Sequence, residues 1–237
     1  MMASIGKSRT ALKKAQAISA KKPQRFLLSH LRVDLVTRGS PERSGVEQFI
    51  TRHFFESHKA EIDAFLPYIL TLRAKSNITS TVGFRAGNSS EEFFLEQYLN
   101  EDVETTLGDL IREPIRRQKL VEIGNLTSIY PGGSRVLFVL IVTVLYQAGF
   151  EWALFTAIPS VQRTMKKLGI VSHEICEANP NCLDANGNNW GDYYKNRPKV
   201  IVGNLRDAFH QLQSHAASNF MMRSHEQATN EIVKEVS

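Results

Sequence analysis

Cysteine is scarce in this 237-residue sequence, which holds only Cys176 and Cys182, with five residues between them. Two such residues make no disulfide framework, and free thiols in a reducing compartment are the expectation. Long apolar runs are lacking too. The longest, Val136–Tyr146, is interrupted by Thr143 and is about half of the roughly 20 residues that a membrane helix needs. The sequence therefore predicts neither a disulfide-stapled secreted domain nor a membrane span.

Acidic residues are absent from residues 1–33, which carry eight of the 29 Lys and Arg. The rest of the chain contains the other 21 Lys and Arg and all 24 Asp and Glu, so it is slightly acidic. The net charge of +5 therefore comes from residues 1–33. We predict that residues 1–25 form a basic, disordered leader. Contact with an anionic membrane is the alternative, and no specific nucleic acid is expected. The apolar core of a secretory signal is missing before Phe26, so a cytoplasmic location is expected.

Familiar metal-binding and hydrolase motifs are missing as well. The seven histidines are scattered without metal-ligand spacing. The segment from Asp184 begins like a calcium loop, but Asn189 replaces the required glycine and Lys195 stands where a bidentate Glu is needed. No serine is placed in a nucleophile elbow with His and Asp partners. We therefore expect no bound metal ion.

The most informative stretch is Lys119–Ala157. In chain order it holds a β-rich segment, a glycine turn, an uncharged segment and a short apolar strand: Leu120–Thr127, Gly132-Gly133, residues 136–150 and Glu151–Ala157. This order predicts a strand, a turn, a buried helix and a second strand. A turn that opens into a helix presents backbone N–H groups and the positive end of the helix dipole, which suit a phosphate. A turn with no binding role is the alternative.

The remaining segments predict strands and helices in mixed order. Strands are predicted over Phe26–Val36, Phe65–Arg73, Ile78–Arg85, Glu92–Leu99 and Lys199–Asn204, and a strand followed by a turn over Ile170–Pro180. Helices are predicted from a cap at Ser40 or Ser44 to about Ser57, over Asp102–Glu113, and from Pro159 to Gly169. The fold class is therefore α+β: a single domain over residues 26–212 with a mixed, mostly antiparallel sheet, and a crossover helix between the fourth and fifth strands. Residues 213–237 are expected to form a polar helix or tail.

The central stretch resembles the GNAT-type N-acyltransferases. In that fold the fourth strand ends in a glycine turn with a basic residue, the fifth strand splays away, and a later helix ends in Leu-Gly followed by an aromatic or aliphatic residue. Here Arg135 is the basic residue and Leu168-Gly169-Ile170 is the helix end. The resemblance implies that an acyl carrier's pyrophosphate is held by Leu126, Thr127, Gly132, Gly133, Ser134 and Arg135.

A narrower resemblance rests on several motifs together. These are VGFRAG (82–87), FFLEQYL (93–99), VEIGNL (121–126), GFEWALFTA (149–157), LGI (168–170), WGDYY (190–194) and PKVIVGNL (198–205). Together they are similar to the bacterial thermostable hemolysin family. That family in turn resembles the autoinducer synthases, which make acyl-homoserine lactones. Val82-Gly83-Phe84-Arg85 and Glu122-Ile123 carry this second likeness.

Glu122 is an acid between Val121 and Ile123 on the predicted fourth strand. Acyl transfer to an amine needs the attacking nitrogen deprotonated, which a general base can do. Partial burial in a sheet raises a carboxyl pKa towards neutral, where such a base works. We therefore predict Glu122 as the catalytic residue. A structural ion pair with Arg85 is the alternative.

Five residues are predicted to bind substrate. Glu96 is a charge inside an otherwise apolar predicted strand, which is costly unless it is paired or faces a pocket. We predict that Glu96 and Arg85 form a charged pair that binds the acceptor, with its amino group at Glu96, and a structural salt bridge is the alternative. Trp190, Tyr193 and Tyr194 cluster in a polar loop, where they either wall a substrate pocket or pin the loop to the sheet.

The resemblance implies an N-acyltransferase that moves an acyl group, expected to be fatty, from a CoA or acyl-carrier-protein thioester to an amine or amino-acid-like acceptor. No tightly bound cofactor is expected. Met165 stands where many acetyltransferases place the tyrosine that protonates the leaving thiolate, so a carrier-protein donor fits better and the proton must come from elsewhere. The family name supplies the alternative, a cytolytic toxin that acts on membranes directly or through a surfactant-like product. A non-catalytic binding module is a third hypothesis.

Overall fold

A computed structural model describes residues 31–129, 132–183 and 189–237. The predicted basic leader, the first residues of the predicted strand Phe26–Val36, Tyr130-Pro131 of the predicted turn and Asp184 lie outside the described residues. Residues 32–237 form one compact unit.

In the described ranges, seven strands make up a single sheet. They are β1 (Leu31–Val36), β2 (Tyr68–Ala74), β3 (Asn77–Ala86), β4 (Leu120–Ser128), β5 (Trp152–Ala157), β6 (His173–Glu177) and β7 (Lys199–Asn204). Their order across the sheet is β1-β2-β3-β4-β5-β7-β6. β4 and β5 are parallel, whereas the β2–β3, β3–β4, β5–β7 and β6–β7 pairs are antiparallel. The predicted mixed, mostly antiparallel sheet is confirmed.

Seven helices flank the sheet in the described residues. They are α1 (Arg43–His58), α2 (Val103–Ile111), α3 (Gly133–Gln147), α4 (Pro159–Lys167), α5 (Leu205–Ser214), α6 (Ala216–Ser224) and α7 (Glu226–Val236). The predicted crossover helix between the fourth and fifth strands is confirmed as α3. In this part of the chain, no helix combines the length and the apolar character that crossing a membrane requires.

The two faces of the sheet carry different layers. α3 contacts β2, β3 and β4 on one face, and α5, α6 and α7 pack against α3 in turn. Because α3 is covered on both sides, every residue from Val136 to Leu145 is buried, which explains why the helix carries no charge after Arg135. α1 contacts β3 and β4 on the opposite face, where a 3-10 turn at Phe94–Tyr98 contacts β5. Residues 213–237, predicted as a polar helix or tail, lie largely in α6 and α7, which bury Met222 and Ile232.

The segment predicted as a strand over Glu92–Leu99 is instead that 3-10 turn, so the prediction is wrong. The Glu96 carboxylate accepts the backbone N–H of Phe93 at 2.8 Å and so closes the turn on itself. Phe93, Leu95 and Tyr98 all point into the core. Strict alternation would have put Leu95 and Tyr98 on opposite faces.

The predicted cap of the first helix is also wrong. α1 begins at Arg43, and its preceding residue Glu42 makes no side-chain capping hydrogen bond. The Ser40 hydroxyl instead accepts the backbone N–H of Thr37 at 2.9 Å. Ser40 therefore stabilises the turn after β1 rather than the helix start.

β4 and β5 are paired only over Leu120–Ile123 and Trp152–Phe155. Just beyond, Asn125 adopts a left-handed backbone conformation with φ +48°. Its side chain accepts the Leu66 N–H at 2.8 Å and so fixes this uncommon geometry, while the β3–β4 register shifts alongside. The bend and the end of pairing open a gap between β4 and β5 at the end that leads into α3.

Gly87 offers a test of how tightly the start of β4 is held. A Cβ at this position would overlap the backbone carbonyl oxygen of Arg117, whereas a Cβ at Gly45 in α1 would meet nothing within 4 Å. We expect Gly87→Ala to lower the free energy of unfolding by about 2 kcal/mol, because backbone must move to relieve the overlap. Gly45→Ala should leave it unchanged or raise it. Urea unfolding of both variants checks this, and equal stabilities would contradict the described packing.

Candidate functional site

Glu122 lies at the centre of the sheet and is almost completely buried, with 4% of the residue exposed. Oε2 accepts the backbone N–H of Phe94 at 3.0 Å, and Oε1 accepts that of Leu95 at 2.9 Å. The strand thereby holds the first residues of the 3-10 turn. A buried carboxylate needs such donors, since an unpaired buried charge is very costly.

Arg85 faces Glu122 across the β3–β4 pair, as the register places the two residues opposite each other. Its Nη1 lies 3.9 Å from Glu122 Oε2 and also donates a short hydrogen bond to the Glu92 carbonyl. Its Nη2 lies 3.1 Å from Glu91 Oε2. The long distance to Glu122 makes this a loose ion pair. Arg85 thus neutralises the buried site without closing over the carboxylate.

Burial is the largest influence on Glu122 and raises the pKa of its carboxyl to about 7. The N–H groups of Phe94 and Leu95 and the charge of Arg85 oppose this shift, because they stabilise the carboxylate. A carboxyl that titrates near neutrality can both accept and return a proton under physiological conditions. Glu122 therefore has the chemistry of a general base or acid.

Tyr98 and Tyr194 approach this site from two different segments. Their hydroxyls share a short hydrogen bond between the 3-10 turn and the loop before β7. Burial and this bond raise the pKa of Tyr98 far above its ordinary value, and burial raises that of Tyr194 to about 12. The negative charge of Glu122 adds to the shift of Tyr98. Sequence reasoning missed Tyr98, because a strand prediction gave it no special partner.

The Tyr193 hydroxyl lies just beyond the last paired residue of β5. It donates to the Thr156 carbonyl at 3.2 Å. The Glu151 carbonyl accepts the Leu205 N–H, so it points towards β7. Along a strand, successive carbonyls point alternately to the two neighbouring strands, and Thr156 lies five residues after Glu151. The Thr156 carbonyl therefore points towards β4. Pairing of β4 with β5 has already ended at Phe155. Tyr193 therefore satisfies a carbonyl that β4 would pair with in a continuous sheet.

Trp190 completes an aromatic cover over this face. Its ring centroid lies 5.6 Å from that of Phe94, 5.3 Å from Tyr193 and 6.1 Å from Tyr194. It also packs against the core beneath α1. The structure thus brings Trp190, Tyr193 and Tyr194 together with the turn that holds Glu122. Both a substrate wall and a structural pin, the two predicted roles, agree with this geometry.

Glu96 lies on the other side of the turn. Its two carboxylate oxygens accept hydrogen bonds from Arg117 Nη1 and Nη2 at 2.7 and 2.8 Å, and Arg117 also reaches Glu104 at 3.1 Å. This bidentate pair is the salt bridge that the sequence left as the alternative, with Arg117 rather than Arg85 as partner. Glu96 also lines an open cavity of about 610 Å³ with a largely acidic lining: Glu91, Glu92, Glu96, Asp102, Glu104 and Arg117, beside Ser89 and Ser90.

The predicted donor turn leads from β4 into α3. Gly132 has φ +89°, which explains the glycine, and Gly133 is buried against the hydroxyls of Ser80 and Ser128. Ser134 is half-buried and Arg135 is exposed, so the first turn of a 15-residue helix reaches the surface here. Leu126 and Thr127, both half-buried, lie on β4 beyond its last pair with β5. The predicted donor residues therefore share one end of β4 and α3.

Met165, at the α4 position discussed above, is 3% exposed and belongs to the core. It supplies no proton. In the residues that the structure describes, no three His, Cys, Asp or Glu side chains are grouped to hold a metal ion.

Comparison with known families gives one match over most of the chain. The model of a family described as "Thermostable hemolysin" matches residues 36–209. This range contains β2–β7 and every residue of the candidate site. No curated protein matches the chain.

Several solved structures share the fold. The acyl-homoserine lactone (AHL) synthase LasI superposes with a TM-score of 0.51 at 10% identity, covering 74% of this chain and 90% of its own. FeeM, an N-acyl amino acid synthase from uncultured soil microbes, superposes with a TM-score of 0.52 at 11% identity, covering 80% of this chain and 98% of its own. The CoA-dependent acyl-homoserine lactone synthase BjaI was solved with SAM and isopentyl-CoA. It superposes with a TM-score of 0.51 at 10% identity, covering 77% of this chain and 88% of its own. The predicted GNAT-like fold is confirmed.

The raised pKa of Glu122 has a consequence for stability. Because the folded state holds this proton more tightly than the unfolded state, the contribution of Glu122 to stability is fully present below its unfolded pKa of about 4.5 and is lost as the pH rises through about 7. Glu122→Gln cannot titrate. Its stability relative to the wild type should therefore improve by on the order of 2 kcal/mol between pH 5 and pH 8. Urea unfolding at both pH values measures this, and a pH-independent difference would contradict the assignment.

Proposed function

This chain belongs to the thermostable hemolysin family, and on that premise we propose that it is an N-acyltransferase that moves an acyl group from a thioester donor to an amine. The observation that carries the proposal is Glu122, a buried carboxyl with a pKa near 7 beside the gap between β4 and β5. The shared fold with LasI, FeeM and BjaI supports it. We further propose a fatty acyl group, as the likeness to synthases of acylated small molecules favours.

Glu122 is proposed to move the proton in this reaction. Its carboxylate takes a proton from the acceptor ammonium, directly or through a water molecule. The freed amine nitrogen attacks the thioester carbonyl carbon, forming the C–N bond and breaking the C–S bond. The leaving thiolate takes the proton that Glu122, now neutral, holds. The attacking nitrogen loses its second proton to water, which leaves a neutral amide and restores the Glu122 carboxylate. A carboxyl that titrates near 7 suits both halves of this transfer, which removes the need for a tyrosine at Met165.

We propose that the donor, CoA or an acyl carrier protein, binds where β4 leads into α3. The helix dipole and the first-turn N–H groups favour a phosphate at this end, and Arg135 adds an exposed positive charge. The gap beyond Ile123 and Phe155 then offers the donor's acyl arm a route towards Glu122 between the two strands. Leu126 and Thr127 border this route.

The acceptor is proposed to approach from the opposite side of the 3-10 turn. The acidic cavity lined by Glu96 suits a cationic amine, and the turn that separates this cavity from Glu122 consists of residues 94–98. Arg85 lies beside Glu122 and can bind a carboxylate of an amino-acid-like acceptor. The aromatic cover of Trp190, Tyr193 and Tyr194 is proposed to exclude water from the reacting atoms.

The family's description as a hemolysin supports a second proposal about the same protein. An N-acylated amine with a long chain is a surfactant, and such a product lyses membranes. Lysis would then depend on catalysis. A directly lytic protein needs no acyl donor, so an assay on red cells separates the two.

Replacement of the proposed base provides the central test. Glu122→Gln keeps the side-chain size and should lower N-acyl product formation by about a thousandfold, since general base catalysis contributes roughly this much. Wild-type activity should rise with pH to a plateau above an apparent pKa near 7. Mass spectrometry of lipid extracts from expressing cells identifies the product, and stopped assays give the pH profile.

Glu56→Gln, a substitution at an exposed α1 position, is the matched control and should keep activity. Undiminished product in Glu122→Gln would end the proposal. Lysis of red cells by purified protein without an acyl donor, equal in wild type and Glu122→Gln, would favour direct membrane action instead.

Arg135 tests the donor site. Arg135→Gln removes the exposed charge at the start of α3, so the KM for the thioester should rise roughly tenfold while kcat changes little. Lys234→Gln removes the same charge from α7 and serves as the control. Equal KM values for the two variants would place the donor's phosphates elsewhere.

A further inference from the structure

Charged residues connect Glu122 to the protein surface through alternating ion pairs. Glu122 Oε2 lies 3.9 Å from Arg85 Nη1, and Arg85 Nη2 lies 3.1 Å from Glu91 Oε2. Glu91 Oε1 in turn lies 2.5 Å from Arg38 Nη2. Arg38 follows β1 and is mostly exposed, with 57% of its side chain accessible. The series therefore runs from solvent to the buried carboxylate in three steps.

Arg85 is the residue at which the two carboxylates compete. Its guanidinium contacts Glu91 at one end and Glu122 at the other, and the Glu92 carbonyl fixes its Nη1. Its Nε is buried with no hydrogen-bond partner among the described residues. The side chain is 15% exposed, so it cannot leave this position freely. The closer contact is with Glu91, which therefore draws the guanidinium away from Glu122.

We propose that Glu91 and Arg38 are positioning residues that act through Arg85 to set how tightly Glu122 holds its proton. The proposal rests on the proposed function of Glu122 and extends it to two residues outside the site. Neither residue contacts Glu122 in the ion pairs described. Their influence on it passes through the place and the charge that Arg85 presents.

The alternating charges give the two residues opposite effects. Without the charge of Glu91, Arg85 has one carboxylate partner left, so the ionised form of Glu122 is favoured. Without Arg38, Glu91 loses its closest partner and competes more strongly for Arg85, so the neutral form of Glu122 is favoured. Other groups that face Glu122 are the Phe94 and Leu95 N–H groups, Glu96 and Tyr98, and these substitutions leave them in place.

Titration of the Glu122 carboxyl in the full-length protein tests this directly. Side-chain ¹³C NMR on glutamate-labelled protein follows each carboxyl, and the Glu122 signal is the one lost in Glu122→Gln. Glu91→Gln should lower the midpoint by about half a pH unit and Arg38→Gln should raise it by a similar amount, as expected for one charge removed nearby. Arg85→Gln should raise it by about one pH unit or more.

Two further variants separate positioning from general effects. Glu92→Gln removes the same charge from an exposed neighbour of Glu91 and should leave the midpoint within about 0.2 pH units of the wild type. Glu91→Asp keeps the charge and should return the midpoint towards the wild-type value. Circular dichroism verifies the fold of each variant. If Glu91→Gln does not fold, the shifts of the Glu122 midpoint in Arg38→Gln and Glu91→Asp still test the inference.

Shifts of the same sign in Glu91→Gln and Arg38→Gln, or no shift in either, would overturn the inference. The titration needs no substrate and so is independent of turnover. Opposite shifts without any N-acyl product would uphold the positioning role and reject the proposed function. Midpoints that do not move, together with loss of product in Glu122→Gln, would support the proposed function and reject the positioning role.

Discussion

The carboxylate of Glu122 is the interaction on which this face of the protein depends. It receives the backbone N–H groups of Phe94 and Leu95, and so a strand in the middle of the sheet holds a turn that is distant in sequence. Around that turn gather the aromatic side chains and the acidic cavity. Because the same oxygens serve as structural acceptors and as the proposed base, fold and chemistry share one group. Such a double use restricts substitution here more strongly than either role alone.

The elements predicted well from sequence are those with strong local signals. An uncharged segment such as Val136–Tyr146 must be buried, and Gly132 and Gly133 before it mark a turn, so the crossover helix followed from residues close in the chain. The strand prediction over Glu92–Leu99 failed because contacts with a distant residue decide the structure of this segment. Its β-forming residues are overruled by a carboxylate on another strand and by the closure of the turn through Glu96. No local pattern contains that information.

In the candidate site too, single residues were proposed from local patterns, whereas some pairs of distant residues were missed. Glu122 was predicted because an acid between apolar residues on a strand is conspicuous in the sequence itself. Arg117 was missed as the partner of Glu96, and Tyr98 as the partner of Tyr194, because these pairs exist only after the chain has folded. The pairing of Arg85 with Glu122 was anticipated as an alternative, and the β3–β4 register produces it. Cross-strand partners can be inferred from a correct sheet, whereas partners across loops cannot.

The double cover of α3 also sets an order of events during synthesis. Residues 136–145 leave the ribosome before α5, α6 and α7, which pack against them, exist. At roughly 5 to 20 residues per second, the helix waits on the order of 5 to 20 s for α7 to be made. During this interval its outer apolar side has no partner within its own chain. The nascent protein therefore passes through a period of exposure to aggregation, and the speed of translation over the last third of the message governs how long that period lasts.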